Sequence, residues 1–361
     1  MSCTELPLTL TADGQVHWVY PYSRLRAANV ESTLACIQLA TIGKPKTFTF
    51  VSSTSALDTD HYVHLSDSLS QRSALASAGE RVPAGVPETD DLEGSRTGLR
   101  SGYGQSKWVA EKLTMLAASR GLRASIVRPG YVVGDSQSAT TNTDDFLWRL
   151  VKGCQQLGLI PNINNTINMV PVDHVARITS LAALATASPS PAAAASSTHA
   201  TVYHVTAHPV IRFNDLLLAL ARYGWKVAQT EYVQWRAQLE RHVLDSSTSS
   251  GSATEANALF PLLHFVLDDL PTSTKSPELD DAHSAALLER AGEGASAGTR
   301  MGVDEVLLAK TLAWLVAAGF LEAPVLKEGE AAAEEDKVGK VRALPALGSG
   351  AVKAIGRGSA N

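Results

Sequence analysis

Two short apolar runs of β character flank a long segment of helical pattern, and that succession constrains the fold more than any other feature of the chain. Lys46 to Val51 is β-rich and ends in the hydroxyl cluster Ser52-Ser53-Thr54-Ser55. Gly104 to Arg120 carries helical apolar spacing and stops at Gly121, and Ala124 to Arg128 is again strand-like and closes on Pro129-Gly130. Upstream, Val16-His17-Trp18-Val19 reads as a short buried strand. Leu25, Val30, Leu34, Ile37 and Leu39 recur at helical intervals between Arg24 and Ala40. Strand, helix, strand, helix, strand predicts a parallel sheet with crossover helices, the doubly wound α/β class. In that class ligands gather beyond the carboxyl ends of the strands. Thr54, the start of the 104–120 helix and Arg128-Pro129-Gly130 would all lie there.

Elsewhere the pattern is less regular. Residues 66–98, rich in Ser, Ala, Gly and Asp, read as a long loop or insertion. Beyond Tyr131, helices are expected at 143–157, 172–185, 213–223 and 303–320, with extended pieces at 167–170 and 201–206. The stretches 187–200, 246–256 and 291–300 are of low complexity. Neither glycine cluster completes a phosphate loop. Gly102-Tyr103-Gly104 finishes no dinucleotide fingerprint, and Gly292-Glu293-Gly294 with Gly298 follows no strand.

The charge balance, 31 Lys and Arg against 36 Asp and Glu for a net −5, argues against a general nucleic-acid binder. No run of about 18 uninterrupted apolar residues occurs, so a membrane span is not expected. Cys3, Cys36 and Cys154 lie far apart with neither metal-ligand nor disulfide spacing. His17, His174 and His204 are likewise scattered, so no metal site is expected. With no signal-peptide pattern at the start, a reducing, cytoplasmic setting is the expectation.

The chemistry concentrates in Tyr103-Gly104-Gln105-Ser106-Lys107. A phenol and an ammonium four residues apart share one helix face. By itself the pair is weak, since Lys107 could simply meet Glu111 on a surface turn for roughly 0.3–0.5 kcal/mol. Its context favours function: it opens a helix between a strand ending in hydroxyls and a strand ending in Arg-Pro-Gly. Reduction of a carbonyl by hydride leaves an alkoxide that needs a proton donor. A nearby ammonium stabilises phenolate and makes Tyr a better donor and acceptor. A hydroxyl across the cleft can hold the substrate oxygen. Thr54 suits that role, with Ser53 as the alternative, although Ser and Thr also cap helices and strand ends. Asn29 either bridges backbone groups near Lys107 or is a tolerated surface amide. Asp173 most simply N-caps a helix.

Residues 16 to about 320 resemble the carboxy-terminal reductase domain of fungal L-2-aminoadipate reductases, in the thioester-reductase branch of the extended short-chain dehydrogenase/reductases. The carrying segments include His17-Trp-Val-Tyr-Pro-Tyr22, Phe50-Val-Ser-Ser-Thr54, Gly102-Tyr-Gly-Gln-Ser-Lys-Trp108 and Val127-Arg-Pro-Gly-Tyr131. Asn168-Met-Val-Pro-Val-Asp-His-Val-Ala176, Pro261-Leu-Leu-His264 and Pro277-Glu-Leu-Asp-Asp281 extend the match. The resemblance implies NADPH-dependent release of an acyl thioester, carried on the phosphopantetheine arm of a carrier domain, as an aldehyde. It implies a catalytic trio of Thr54, Tyr103 and Lys107. It also implies cofactor contacts from Val19, Tyr20, Pro21, Asn29, Ser52, Ser53, Arg128, Pro129, Gly130 and Tyr131. The expected organisation is a partial Rossmann-type NAD(P)-binding domain over 1–180, a mainly helical substrate- and carrier-side region over 181–322, and a disordered tail over 323–361. The doubly wound sheet is expected to be incomplete, because the family's first strands and glycine-rich turn should precede Val16. A non-catalytic binding module of the same fold and a nucleotide-sugar enzyme of the wider superfamily are the competing expectations.

Overall fold

The computed structural model describes residues 9–12, 14–17, 19–44, 46–77, 82–188, 199–248, 257–292, 301–324 and 341–347. The segments read from composition as loose or disordered, 187–200, 246–256, 291–300 and 323–361, fall largely outside these residues. Two compact units make up the chain. One comprises Met1–Val132, Asn168–His208 and Lys275–Gly302; the other comprises Val133–Ile167, Pro209–Thr274 and Val303–Asn361.

The first unit is built on four parallel strands, β1 (Thr9–Ala12), β2 (Thr47–Val51), β3 (Ala124–Pro129) and β4 (Thr201–Val205), in the order β1-β2-β3-β4. Thr9 lies opposite Thr47, Phe50 opposite Ile126 and Val127 opposite Tyr203. Alternation along each strand sends neighbouring side chains to opposite faces. Phe48, Phe50, Ile126 and Val202 pack on one face with Ile37 and Ala40 of helix α2 (Ser32–Thr41) and Ala110 and Ala118 of helix α4 (Gly102–Ser119). Val127, Tyr203 and Val205 pack on the other with Val175, Ile178 and Ala182 of α5 (Val172–Ala187) and Leu287 and Leu288 of α6 (Ala282–Arg290). Helices therefore cover both faces, which is the doubly wound arrangement the alternation of elements predicts.

Three local differences from the sequence reading have physical reasons. The first strand is Thr9–Ala12, not 16–19: residues 14–17 and Val19 form no strand, and Val16 is 49 % exposed. Those residues instead turn the chain towards α1 (Tyr22–Arg26), with His17 stacked on Tyr20 at 3.4 Å between ring centroids. Trp18 lies outside the described residues. Second, the helix expected from Arg24 onward is real but interrupted, because Ala27–Glu31 forms a π-turn between α1 and α2. Third, residues 66–75 belong to helix α3 (Asp60–Leu75) rather than to a loop. Burial of Tyr62, Val63 and Ser66 holds that Ser-rich helix, and the Ser66 hydroxyl is satisfied by the Val63 carbonyl. Tertiary burial outweighs weak helix propensity here.

The second unit is mainly helical. The Phe146–Leu157 helix is N-capped by Asp145, whose Oδ1 accepts from Leu147 N at 2.8 Å, and it ends at Gly158 in the left-handed region. Trp148, Phe213 and Trp235 are buried in this unit. Among the described residues no helix is long and apolar enough to cross a membrane.

Candidate active site

The site is set by where β2 ends and α4 begins. After Val51 the chain leaves the sheet through Ser52 and Ser53, and Thr54 opens a single 3-10 turn to Leu57. Ser53 N-caps that turn, its Oγ accepting from Ser55 N at 3.1 Å. Ser52 Oγ donates to Glu111 at 2.5 Å in the interior. Thr54, half-buried, makes no side-chain hydrogen bond to any described residue. Of three adjacent hydroxyls, two are committed to the fold and one is available.

Helix α4 brings Tyr103 and Lys107 to the same place. Ser101 N-caps it, accepting from Gly104 N at 3.0 Å. The two glycines around Tyr103 allow backbone contact on either side. A Cβ on Gly104 would stand 2.6 Å from the Ser55 carbonyl, and one on Gly102 would stand 2.4 Å from Tyr20 O and Tyr22 N. The Gly-Tyr-Gly sequence is thus a packing device that seats the phenol between the Thr54 turn and the Tyr20–Tyr22 segment. Lys107 is fully buried. Its Nζ donates to the Val51 carbonyl at 2.8 Å and lies 5.7 Å from the Tyr103 ring centroid and 5.2 Å from that of Phe50. A buried ammonium anchored on the last carbonyl of β2 and facing the phenol is no surface helix pair. The Lys107–Glu111 alternative fails on burial, since both side chains are excluded from water.

Beneath these groups lies a charged interior. Arg128 and Glu111 are both fully buried, with Arg128 Nη2 2.8 Å and Nε 2.9 Å from Glu111 Oε2. Arg128 Nη1 meets His204 Nε2 at 3.0 Å, and His204 Nδ1 meets the Asp280 carbonyl at 2.8 Å. Since an arginine only donates, Nε2 must accept and Nδ1 must carry the proton. Burial, and then the Arg128 charge, push the His204 imidazole down to about 3, so it is neutral. The Arg128 guanidinium therefore faces the core, and the part of the Arg128–Tyr131 segment left for a ligand is Pro129 to Tyr131.

That segment is held by Asn168. Tyr131 N donates to Asn168 O at 2.8 Å, Asn168 Oδ1 accepts from Ala207 N at 2.5 Å, and Gly130 N donates to Val205 O at 3.3 Å. Asn29 has the bridging role. Buried at the π-turn, it exchanges hydrogen bonds with the Gln15 backbone (2.6 and 3.0 Å) and donates to Ser106 Oγ at 2.9 Å, next to Lys107. A π-turn re-aims one side chain by shifting the helical register, a device common at functional sites. Of the remaining residues, Pro21 is the exposed N-cap of α1. Val19 is half-buried, as is Tyr20, whose ring is stacked on His17 and overlain by the Arg24 guanidinium at 3.9 Å.

Sequence reasoning missed Glu111, Asn168 and His204 as parts of the site. The signal for Glu111 was present, because a Glu one helical turn beyond Lys107 has to be neutralised if that helix face is buried. For Asn168 and His204 no local signal exists; both act through partners far away in sequence. Among the described residues no cluster of three or more His, Cys, Asp or Glu side chains could hold a metal ion. An available hydroxyl, a half-buried phenol and a buried ammonium, beside a clamped Pro129–Tyr131 backbone at the strand ends, fit the reacting end of a nicotinamide cofactor.

Comparison with known proteins bears on this reading. Residues 10–179 match the NAD-binding family model described as Male sterility protein. The chain is 51 % identical over 315 residues to the L-2-aminoadipate reductase large subunit of Penicillium chrysogenum, covering 86 % of this chain and 21 % of that protein. It is 48 % identical over 311 residues to the L-2-aminoadipate reductase of Saccharomyces cerevisiae, again 86 % and 21 %. Among solved structures, the terminal R domain from the myxalamid PKS-NRPS biosynthetic pathway superposes with a TM-score of 0.65 at 30 % identity, over 86 % of this chain and 68 % of that one. The chain spans about a fifth of the length of the curated relatives it matches.

Proposed function

Because this chain belongs to the family of thioester-reductase (R) domains within the extended short-chain dehydrogenase/reductases, we propose that it is the reductase portion of an L-2-aminoadipate reductase. Its reaction would be the NADPH-dependent release of an L-2-aminoadipyl thioester as 2-aminoadipate 6-semialdehyde. The single observation that supports this most is the convergence of the available Thr54 hydroxyl, Tyr103 and the Val51-anchored Lys107 at one strand end. The thioester would arrive on the phosphopantetheine arm of a carrier domain.

Pro129, Gly130 and Tyr131 would hold the nicotinamide, whose chemistry is to supply hydride. Val19, Tyr20 and Pro21 would lie on the adenosine side. The residues of the chain do the rest. Thr54 Oγ1 and the Tyr103 phenol donate hydrogen bonds to the carbonyl oxygen, which gains negative charge as hydride adds to the carbonyl carbon. Tyr103 passes its proton to that oxygen, giving a hemithioacetal, and the buried Lys107 ammonium stabilises the phenolate left behind. Return of the proton from the hemithioacetal oxygen lets the C–S bond break, yielding aldehyde and thiolate, and the thiolate then takes a proton from water. Asn29 steadies the Ser106–Lys107 turn of α4, while Ser52 and Ser53 shape the strand exit.

The test is reduction of L-2-aminoadipyl-pantetheine thioester by the purified chain with NADPH, followed by loss of cofactor absorbance. Turnover is expected, with Tyr103→Phe and Thr54→Val each slower by roughly 10²–10⁴-fold. Absence of both turnover and NADPH binding up to millimolar concentration would refute the reading.

A further inference from the structure

Just beyond the carboxyl end of β4 lies a polar cluster that the chemistry above does not use. Thr206 Oγ1 donates to Asp281 Oδ2 at 2.7 Å, and His208 Nε2 lies 2.9 Å from the same oxygen. The His208 side chain is 42 % exposed, and its Nδ1 has no hydrogen bond to any described residue. Buried His174, in the first turn of α5, lies within electrostatic reach of His208 and Asp281. One nitrogen of His208 serves both Thr206 and Asp281, which is not the relay geometry of a nucleophilic triad.

The position of Asp281 is unusual. It occupies the N-cap of α6 yet makes no side-chain capping bond. An Asp there ordinarily accepts from the helix's own first N–H groups. Here the buried carboxylate of Glu88 does that work, accepting from His283 N and from Ser284 N. Asp281 is released from capping and turned towards Thr206 and His208.

The same end of the sheet carries the reaction site. The strands are parallel, so Thr54 beyond β2, Tyr131 beyond β3 and His208 beyond β4 project from one edge. Adjacent strands are about 4.8 Å apart, which puts the β4 exit roughly 10 Å across from the β2 exit. An aminoadipyl chain spans roughly 5 Å from thioester carbon to α-carbon, being four C–C bonds of about 1.5 Å each. A hydrogen bond at each end brings that reach to the spacing of the two strand exits. Asn168 links them further, since it holds both the Tyr131 backbone and Ala207.

We propose that Thr206, His208 and Asp281 are specificity-determining residues that bind the ammonium and carboxylate at the far end of the acyl chain. Asp281 takes the ammonium. With Nε2 donating to Asp281, an Nδ1–H of His208 is the donor offered to the carboxylate. A hydrophobic acyl chain would bring no charged partner to these groups, and a site built for polar groups rejects analogues lacking them.

The inference rests on the reductase reading, and the experiment separates the two. The kcat/KM of the chain with NADPH is measured for L-2-aminoadipyl-pantetheine and for hexanoyl-pantetheine thioesters, in the wild type, His208→Gln and Asp281→Asn. Melting temperatures identify any variant that fails to fold. The ratio of aminoadipyl to hexanoyl kcat/KM is expected to fall at least tenfold in each folded variant, mainly through KM. If both substrates lose activity in proportion, the cluster is only a clamp on α6 and the inference is overturned while the reductase reading stands. A variant ratio equal to that of the wild type overturns it as well. No turnover of either thioester by the wild type overturns both.

Discussion

Arg128 and Glu111 are the residues on which the site's rigidity depends most directly. Each is fully excluded from water and satisfied by the other, and removing one strands a buried charge. Glu111→Gln is therefore expected to cost about 3–5 kcal/mol in urea unfolding. Replacing both residues together with apolar ones of similar volume should cost much less, and an equally large loss in the double variant would contradict this account. His204 carries a pH signature of opposite character. Its folded imidazole is held down to about 3 by burial and by Arg128, whereas in the unfolded chain it protonates near about 6.5. Between those values the unfolded state binds a proton that the folded state refuses, so stability falls as pH falls. The drop in melting temperature between about pH 7 and pH 4.5 should be smaller in His204→Gln than in the wild type. Equal drops would show that His204 does not titrate in this way. At this scale the Tyr103 and Lys107 pair was legible from spacing and context. Which of Ser52, Ser53 and Thr54 keeps an available hydroxyl was not, because that depends on Glu111 and on Ser55 N.

Among the elements, α4 matters most, because its first turn touches two other segments through glycine. Gly104→Ala would place a methyl 2.6 Å from the Ser55 carbonyl, a backbone atom that cannot move aside without shifting the Thr54 turn. The expected outcome is a lower melting temperature together with a loss of reductase activity larger than stability alone explains, read as kcat at a temperature where the variant is fully folded. Ser101→Ala, which removes only the N-cap, should cost about 1 kcal/mol. It should leave the pH dependence of the reaction unmoved. The interrupted first helix makes a related point. Apolar spacing correctly indicates a helix from about residue 24, yet the π-turn at Ala27–Glu31 is invisible to periodicity because one extra residue shifts the register by less than a turn. It exists because Asn29 meets Gln15 and Ser106 there. Helix α3 was hidden for the converse reason, its Ser-rich composition being overridden by burial of Tyr62 and Val63.

On the scale of the whole molecule, each compact unit is assembled from three separated stretches of chain. The sheet of the first unit is completed by β4, which pairs with β3 from Ser125–Thr201 to Pro129–Val205, and α5 and α6 cover one of its faces. A fragment comprising residues 1–132 lacks all three elements. It is expected to show no cooperative unfolding transition by circular dichroism and rapid proteolysis under conditions where the full chain resists. A cooperative transition in that fragment would show that β4 and its helices are dispensable. The sequence by itself determined the class of fold, because alternating strand and helix patterns admit few arrangements besides a parallel sheet with crossovers. It also singled out Thr54, Tyr103 and Lys107 as the candidates for the proposed chemistry, because their residue types and their places at element ends are local properties. Only the tertiary structure decided that Arg128 turns inward to Glu111, that Asn168 clamps the Gly130 turn, and that Glu88 frees Asp281 from its helix. Those outcomes depend on which buried polar groups meet across long stretches of chain. A buried donor or acceptor must find a partner wherever the fold provides one, and no local pattern in the sequence says where that will be.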